Sequence, residues 1–150
     1  MRKVSTARFG EIEIDESKVV QFPHGIPAFD DEKEFAILPM TQDEESPYVF
    51  MQSLSSPELA FLMTNPFSFF SDYEFEIDDD SLENLDIKEQ EDLVIYVILT
   101  LPKGKVRDMT ANLMAPVVIN TANMKAKQIV LDKSRYTTKH RLFPEAKEDN

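Results

Sequence analysis

A chain of 150 residues and 17.3 kDa, with 42% apolar and 29% charged residues, has the composition of one ordinary folded domain and excludes a disordered chain. The lack of cysteine excludes disulfides, thiolate-bound metals and a cysteine nucleophile, and fits a reducing compartment. The net charge of −12 is uneven: residues 1–100 hold 23 acids and 6 bases, whereas residues 101–150 hold 5 acids and 10 bases. Such a surface repels nucleic-acid phosphates and suits a basic protein partner, or it serves solubility alone.

The N-terminal stretch Met1–Asp15 shows no apolar run behind its basic residues, which argues against a secretory leader. The longest apolar run, Leu93–Leu101, is far short of the roughly 20 residues that span a bilayer. The expected location is the cytoplasm, with no membrane contact. In chain order, Glu11–Asp15 alternates as a half-buried strand does, and Lys18–Phe22 forms a second strand closed by Pro23. Phe35–Leu38, Tyr48–Gln52 and Leu59–Met63 are short strands. Tyr73–Ile77 alternates again, with Glu74 and Glu76 on the wet face. Leu93–Leu101 reads as a central strand covered on both faces and followed by a turn at Pro102–Lys105. Val117–Ile119 and Gln128–Leu131 complete the set. Helix is confined to Ser81–Asp92, with Asp78–Asp80 at its N-terminus, and to a turn at Asn65–Phe70. The fold class is therefore all-β: a single-domain antiparallel β-barrel or sandwich with one or two short helices. The domain spans 1–143, and 144–150 form a flexible tail.

Tests for chemistry return little. Three scattered glycines cannot form a phosphate-cradling loop. His24 and His140 have no companion ligands at metal-binding spacing, and Asp78–Ser81 fails the calcium-loop pattern, with Leu82 and Glu83 at its fifth and sixth positions. No metal or cofactor is expected. Paired carboxylates for a small barrel enzyme are available among 28 acids but are not singled out by spacing. The six bases between Lys125 and Arg141, beside Tyr136, fit a solvated sheet edge better than a nucleic-acid patch.

Stiff turn phrases remain. Phe22-Pro23-His24-Gly25-Ile26-Pro27-Ala28-Phe29, Asn65-Pro66-Phe67, Asn112-Leu113-Met114-Ala115-Pro116 and Ile119-Asn120 set proline or asparagine where they fix the backbone. Such phrases either present a preorganised binding edge or close the barrel. Together with Phe9–Ile14, Gln52-Ser53, Tyr73-Glu74 and Gln128–Leu131, in this order and spacing, they resemble the bacterial flagellar assembly factor FliW family over roughly Ser5 to Tyr136. Ala28 departs from the family pattern, which usually carries glycine there.

The resemblance implies a non-enzymatic regulator. Members of the family bind newly made flagellin in the cytoplasm and also bind CsrA, a small dimeric RNA-binding repressor of flagellin translation. The partners compete, and the freed protein antagonises CsrA allosterically. The expected partners are thus flagellin and CsrA, with no direct nucleic acid, and the free protein is a monomer. The rival readings are a flagellin export chaperone without a regulator partner and a carboxylate-dependent barrel enzyme. Between Asp72 and Asp92 stand 11 acids and one base, a surface that steers a basic partner. Flagellin's amphipathic terminal helices fit docking against stiff apolar loops. The candidate partner-binding residues are therefore Ile26, Pro27 and Phe29 from the first phrase, Asn65 and Phe67 from the second, and Glu74, Glu76, Asp78, Asp79 and Asp80 from the acidic stretch.

Overall fold

The computed structural model describes residues 2–7, 9–23, 25–26, 31–39, 47–101, 108–131 and 136–143. Among these residues the chain forms eleven strands: β1 (Arg2–Thr6), β2 (Gly10–Ile14), β3 (Val20–Gln21), β4 (Glu34–Pro39), β5 (Tyr48–Ser53), β6 (Ala60–Thr64), β7 (Leu93–Thr100), β8 (Thr110–Ala111), β9 (Val117–Asn120), β10 (Lys125–Gln128) and β11 (His140–Arg141). One α-helix, α1 (Asp79–Asn84), and 3-10 turns at Glu16–Lys18, Pro66–Ser68 and Gln90–Asp92 complete it. Among the described residues no helix is long and apolar enough to cross a membrane.

The strand pairings close on themselves. The order β7-β6-β5-β4-β3-β10-β9 is a continuous ladder, and β9 pairs back onto β7, so seven strands form a barrel. Barrel closure decides the alternative between barrel and sandwich that the sequence left open. Every ladder is antiparallel except β3 with β10, which meet in parallel at Gln21 and Lys125. Alternation then sorts the side chains. Val20, Phe22, Phe35, Met51, Met63, Val117 and Ile119 fill the barrel with Tyr96 and Ile98. Outside it, the β1–β2 hairpin lays Val4 and Ile14 on Ala36, and the β8–β11 ribbon extends the far end of β7.

The differences from expectation have local causes. β1 carries only Val4 as an apolar buried residue, too weak a period to read, yet it pairs along its whole length with β2. The helix stops at Asn84 instead of Asp92. Asp86 turns left-handed (φ 53°), the Ile87 N–H reaches back to Leu82 O and the Asp86 N–H to Glu83 O, which is a glycine-type helix stop built on aspartate. The last predicted strand is displaced to Lys125–Gln128, because Ala126 alone marks its inward face; Ile129 and Leu131 follow it, donating their N–H groups to Pro116 and Met114. Tyr73–Ile77 alternates as expected but joins no ladder. Alternation reports which side is covered and not whether the backbone is paired.

Candidate functional site

The run Leu93–Leu101 was expected to be covered on both faces. The barrel-facing Tyr96 and Ile98 are half-buried, whereas Val97 and Leu99 are buried, packed on the outer side with Tyr73, Met109, Leu113 and Leu142. Leu93 and Ile95, at the start of the same face, are only half-covered. They form the floor of an open groove of about 680 Å³. Tyr73, Phe75 and Ile77 make one wall. Phe67 and Leu82 stand at the lips, 43% and 36% exposed. Glu74 and Glu76 rim it on the alternate, outward positions of the same segment, and Asp78, Asp79 and Asp80 continue the acidic edge onto α1. A smaller hollow beyond Glu76 and Asp78, toward Lys127 and Val130, adjoins it.

Each part of the groove is fixed by a nameable contact. Asn65 caps the Pro66–Ser68 turn: its Oδ1 accepts the Phe67 N–H at 2.9 Å, with Pro66 buried at the first turn position, so Phe67 is held outward. Tyr73 is buried, and its hydroxyl donates to Leu113 O at 2.8 Å; burial pushes its phenol pKa well above the usual value. Tyr136 sits edge-on to Tyr73 with ring centroids 4.7 Å apart, and its hydroxyl accepts the Glu74 N–H at 3.0 Å. The acidic helix is clamped at both ends. At its start Asp78 accepts the Ser81 hydroxyl at 2.7 Å and the Ser81 N–H at 3.2 Å, and Lys127 Nζ donates to Ser81 Oγ at 3.0 Å. The Ser81 hydroxyl, with Lys127 further off, holds the Asp78 carboxyl below its ordinary range. At its end the buried Asn120 amide donates to Leu85 O and Asp86 O, and the Asn123 amide also reaches Leu85 O.

Of the predicted site residues, Phe67, Glu74 and Glu76 line this groove, Asn65 orders one lip, and Asp78–Asp80 extend its rim. Ile26 is a correction: it is 3% exposed and packs inside the barrel with Phe22, Phe35 and Val117, so it presents no contact surface. Pro27 and Phe29 lie outside the described residues. Leu82, Leu93 and Ile95 were missed as site residues, since a continuous apolar run does not tell which of its residues stay uncovered. Asn120 and Asn123 were missed as the helix clamp; the Ile119-Asn120 phrase marked the place but not the partner 35 residues away. Among the described residues no group of three or more His, Asp or Glu side chains is placed to hold a metal ion.

Comparison with known proteins fits this architecture. Residues 3–142 match the family model described as FliW protein. The flagellar assembly factor FliW of Geobacillus sp. (strain WCH70) is 46% identical over 143 residues, covering 95% of this chain and 96% of that protein. The FliW of Bacillus subtilis (strain 168) is 43% identical over 143 residues, covering 95% and 98%. A crystal structure of the flagellar assembly factor FliW superposes with a TM-score of 0.88 at 44% identity, covering 96% of this chain and 99% of that one. The family match over residues 3–142, the identity to relatives along nearly the whole sequence and the shared fold place this chain in the FliW family of flagellar assembly factors.

Proposed function

We propose that the protein is a cytoplasmic two-partner switch: it binds flagellin and, once released, binds CsrA and antagonises it allosterically, so that flagellin translation resumes. The observation that carries this reading is the apolar groove with its acidic rim. Phe67 and Leu82 are exposed apolar side chains on either side of a half-covered floor, which is how a protein-docking surface is built. The acids around it speed encounter with a basic partner, such as an RNA-binding repressor, and raise the negative potential beside its bound RNA. Among the described residues, the carboxylates displaced from their ordinary proton affinity, at Asp15, Glu32, Glu34 and Asp78, are all held low by hydrogen-bond donors. That suits anchoring and not the raised pKa of a general acid, which weighs against the enzyme reading.

The test is a titration of CsrA into the protein at several fixed flagellin concentrations. Mutual exclusion obliges each partner to weaken the other by the same factor. At flagellin 100 times its dissociation constant, the apparent CsrA affinity should fall about 100-fold, or roughly 2.7 kcal/mol. A ternary complex with unaltered CsrA affinity contradicts the switch. Flagellin binding with no CsrA binding would mean an export chaperone alone.

A further inference from the structure

The wall of the groove has an unexplained property. Tyr73–Ile77 has the period-two burial of an extended chain, yet it belongs to no ladder. The Glu74 N–H is taken by the Tyr136 hydroxyl, on one edge of the segment. Among the described residues, the N–H and C=O groups of Phe75 and Ile77 have no hydrogen-bond partner. Backbone polar groups are almost always paired, and a row of unpaired ones is a template for another strand. In an extended chain the backbone groups of alternate residues share an edge, so Phe75 and Ile77 present theirs on the side away from Tyr136.

We propose that this segment receives an extended peptide by strand addition, the peptide being one in which apolar and basic residues alternate. This deepens the reading of the groove as a protein-docking surface and rests on it. Strand addition meets both needs of the site at once. Alternate side chains of the incoming strand cover Leu93 and Ile95, while its backbone satisfies Phe75 and Ile77. A helix laid in the same groove covers the floor but leaves those backbone groups facing side chains. Charge selects the sequence. Glu74 and Glu76 point outward, so a cross-strand neighbour on that face is stabilised when it is lysine or arginine and destabilised when it is acidic. A second copy of this chain would set Glu74 and Glu76 against the same acids, which excludes self-pairing through this segment and singles out a basic foreign strand.

The probe is the peptide Lys-Val-Lys-Val-Lys-Val-Lys, titrated into the whole protein at low salt, beside two N-methylated versions that block alternate sets of its amides and a leucine–lysine peptide of the same charge patterned for a helix. The strand peptide should bind, and amide exchange at Phe75 and Ile77 should slow about tenfold or more. One N-methylated set should weaken binding roughly tenfold and the other should not, since only one edge pairs. Glu74→Gln with Glu76→Gln should weaken it by about threefold to tenfold without unfolding the protein, because both side chains are exposed. Equal affinity for both N-methylated peptides would reduce the effect to bulk charge and overturn the proposal. So would tighter binding by the helix peptide with unchanged exchange at Phe75 and Ile77. Neither result bears on whether whole flagellin and CsrA exclude each other, so failure here is distinguishable from failure of the switch.

Discussion

The barrel interior and the outer groove are built from the same residue types and have opposite fates. Inside, Phe22, Phe35, Met51 and Met63 are wholly buried, with Phe22 and Phe35 edge-to-face at 5.3 Å, and the stiff turn after Phe22 ends by inserting Ile26 among them. Outside, Phe67, Phe75, Leu82, Leu93 and Ile95 gather with comparable apolar content, but Phe75, Leu93 and Ile95 are only half-buried, against Leu85, Val118 and Ile129, and Phe67 and Leu82 stand exposed. The outward positions along the Tyr73–Asp80 side are acidic: Glu74, Glu76, then Asp78 to Asp80. The contrast teaches that stiffness in a turn phrase does not separate a binding edge from a core plug. What separates them is burial: Ile26 is 3% exposed and Phe67 43%. The groove is fenced by carboxylates, which keep an exposed apolar surface soluble.

The comparison breaks first at Ile26. Truncation to alanine leaves a void in the barrel and is expected to cost about 2–5 kcal/mol in a denaturant titration, with partner binding by the folded fraction unchanged. A stable variant with weakened binding would make the turn a contact surface after all. Phe67→Ala is the mirror experiment. It removes a ring that is 43% exposed and touches Tyr73 at its inner side, so stability should shift by about 1 kcal/mol, while flagellin affinity falls by about 2 kcal/mol or more, roughly 30-fold. Calorimetric titration beside a melting curve separates the two. Asn120→Ala sharpens the picture of how the acidic rim is held. It removes the buried donor to Leu85 O and Asp86 O and should cost about 1–3 kcal/mol in stability, reduced because Asn123 still serves Leu85 O.

The smallest expected effect is a pH dependence at the back wall. The Thr137 N–H donates to His140 Nε2 at 2.8 Å, which requires a lone pair on that nitrogen. Burial between the Phe70 and Tyr136 rings lowers the His140 pKa from its ordinary 6.5. The unfolded chain therefore takes up the proton first as pH falls. The contribution is complete above about pH 6.5 and is lost as pH drops through the folded-state pKa. Melting temperature should decline on moving from about pH 7 to about pH 5, and His140→Gln should flatten that part of the slope.

Much of this was legible in the sequence. The strands with dense apolar periodicity, β4 to β7 and β9, sit within a residue or so of where alternation put them, because their burial and their pairing coincide. The failures fall where the two part company. β1, β8 and β11 pair without carrying a readable apolar stripe, while Tyr73–Ile77 carries the stripe and does not pair. The helix ended early because Asp86 accepts a left-handed turn that glycine usually supplies, a choice composition does not announce. The acids of the candidate site were readable as a charge run, and Phe67 as part of a capped turn. Its floor was not, since Leu93 and Ile95 differ from Val97 and Leu99 only in what the rest of the chain lays over them.

The central claim is that partners dock on the groove and not on the turn that plugs the barrel. Amide hydrogen exchange measured across the whole chain, free and then saturated with flagellin or with CsrA, tests it most directly. The account predicts slowed exchange confined to Phe67–Leu85 and the start of β7 in at least the flagellin complex, with β4 and β5 unchanged. Protection falling on the β1–β2 hairpin, with Phe67–Leu85 exchanging as in the free protein in both complexes, would contradict it.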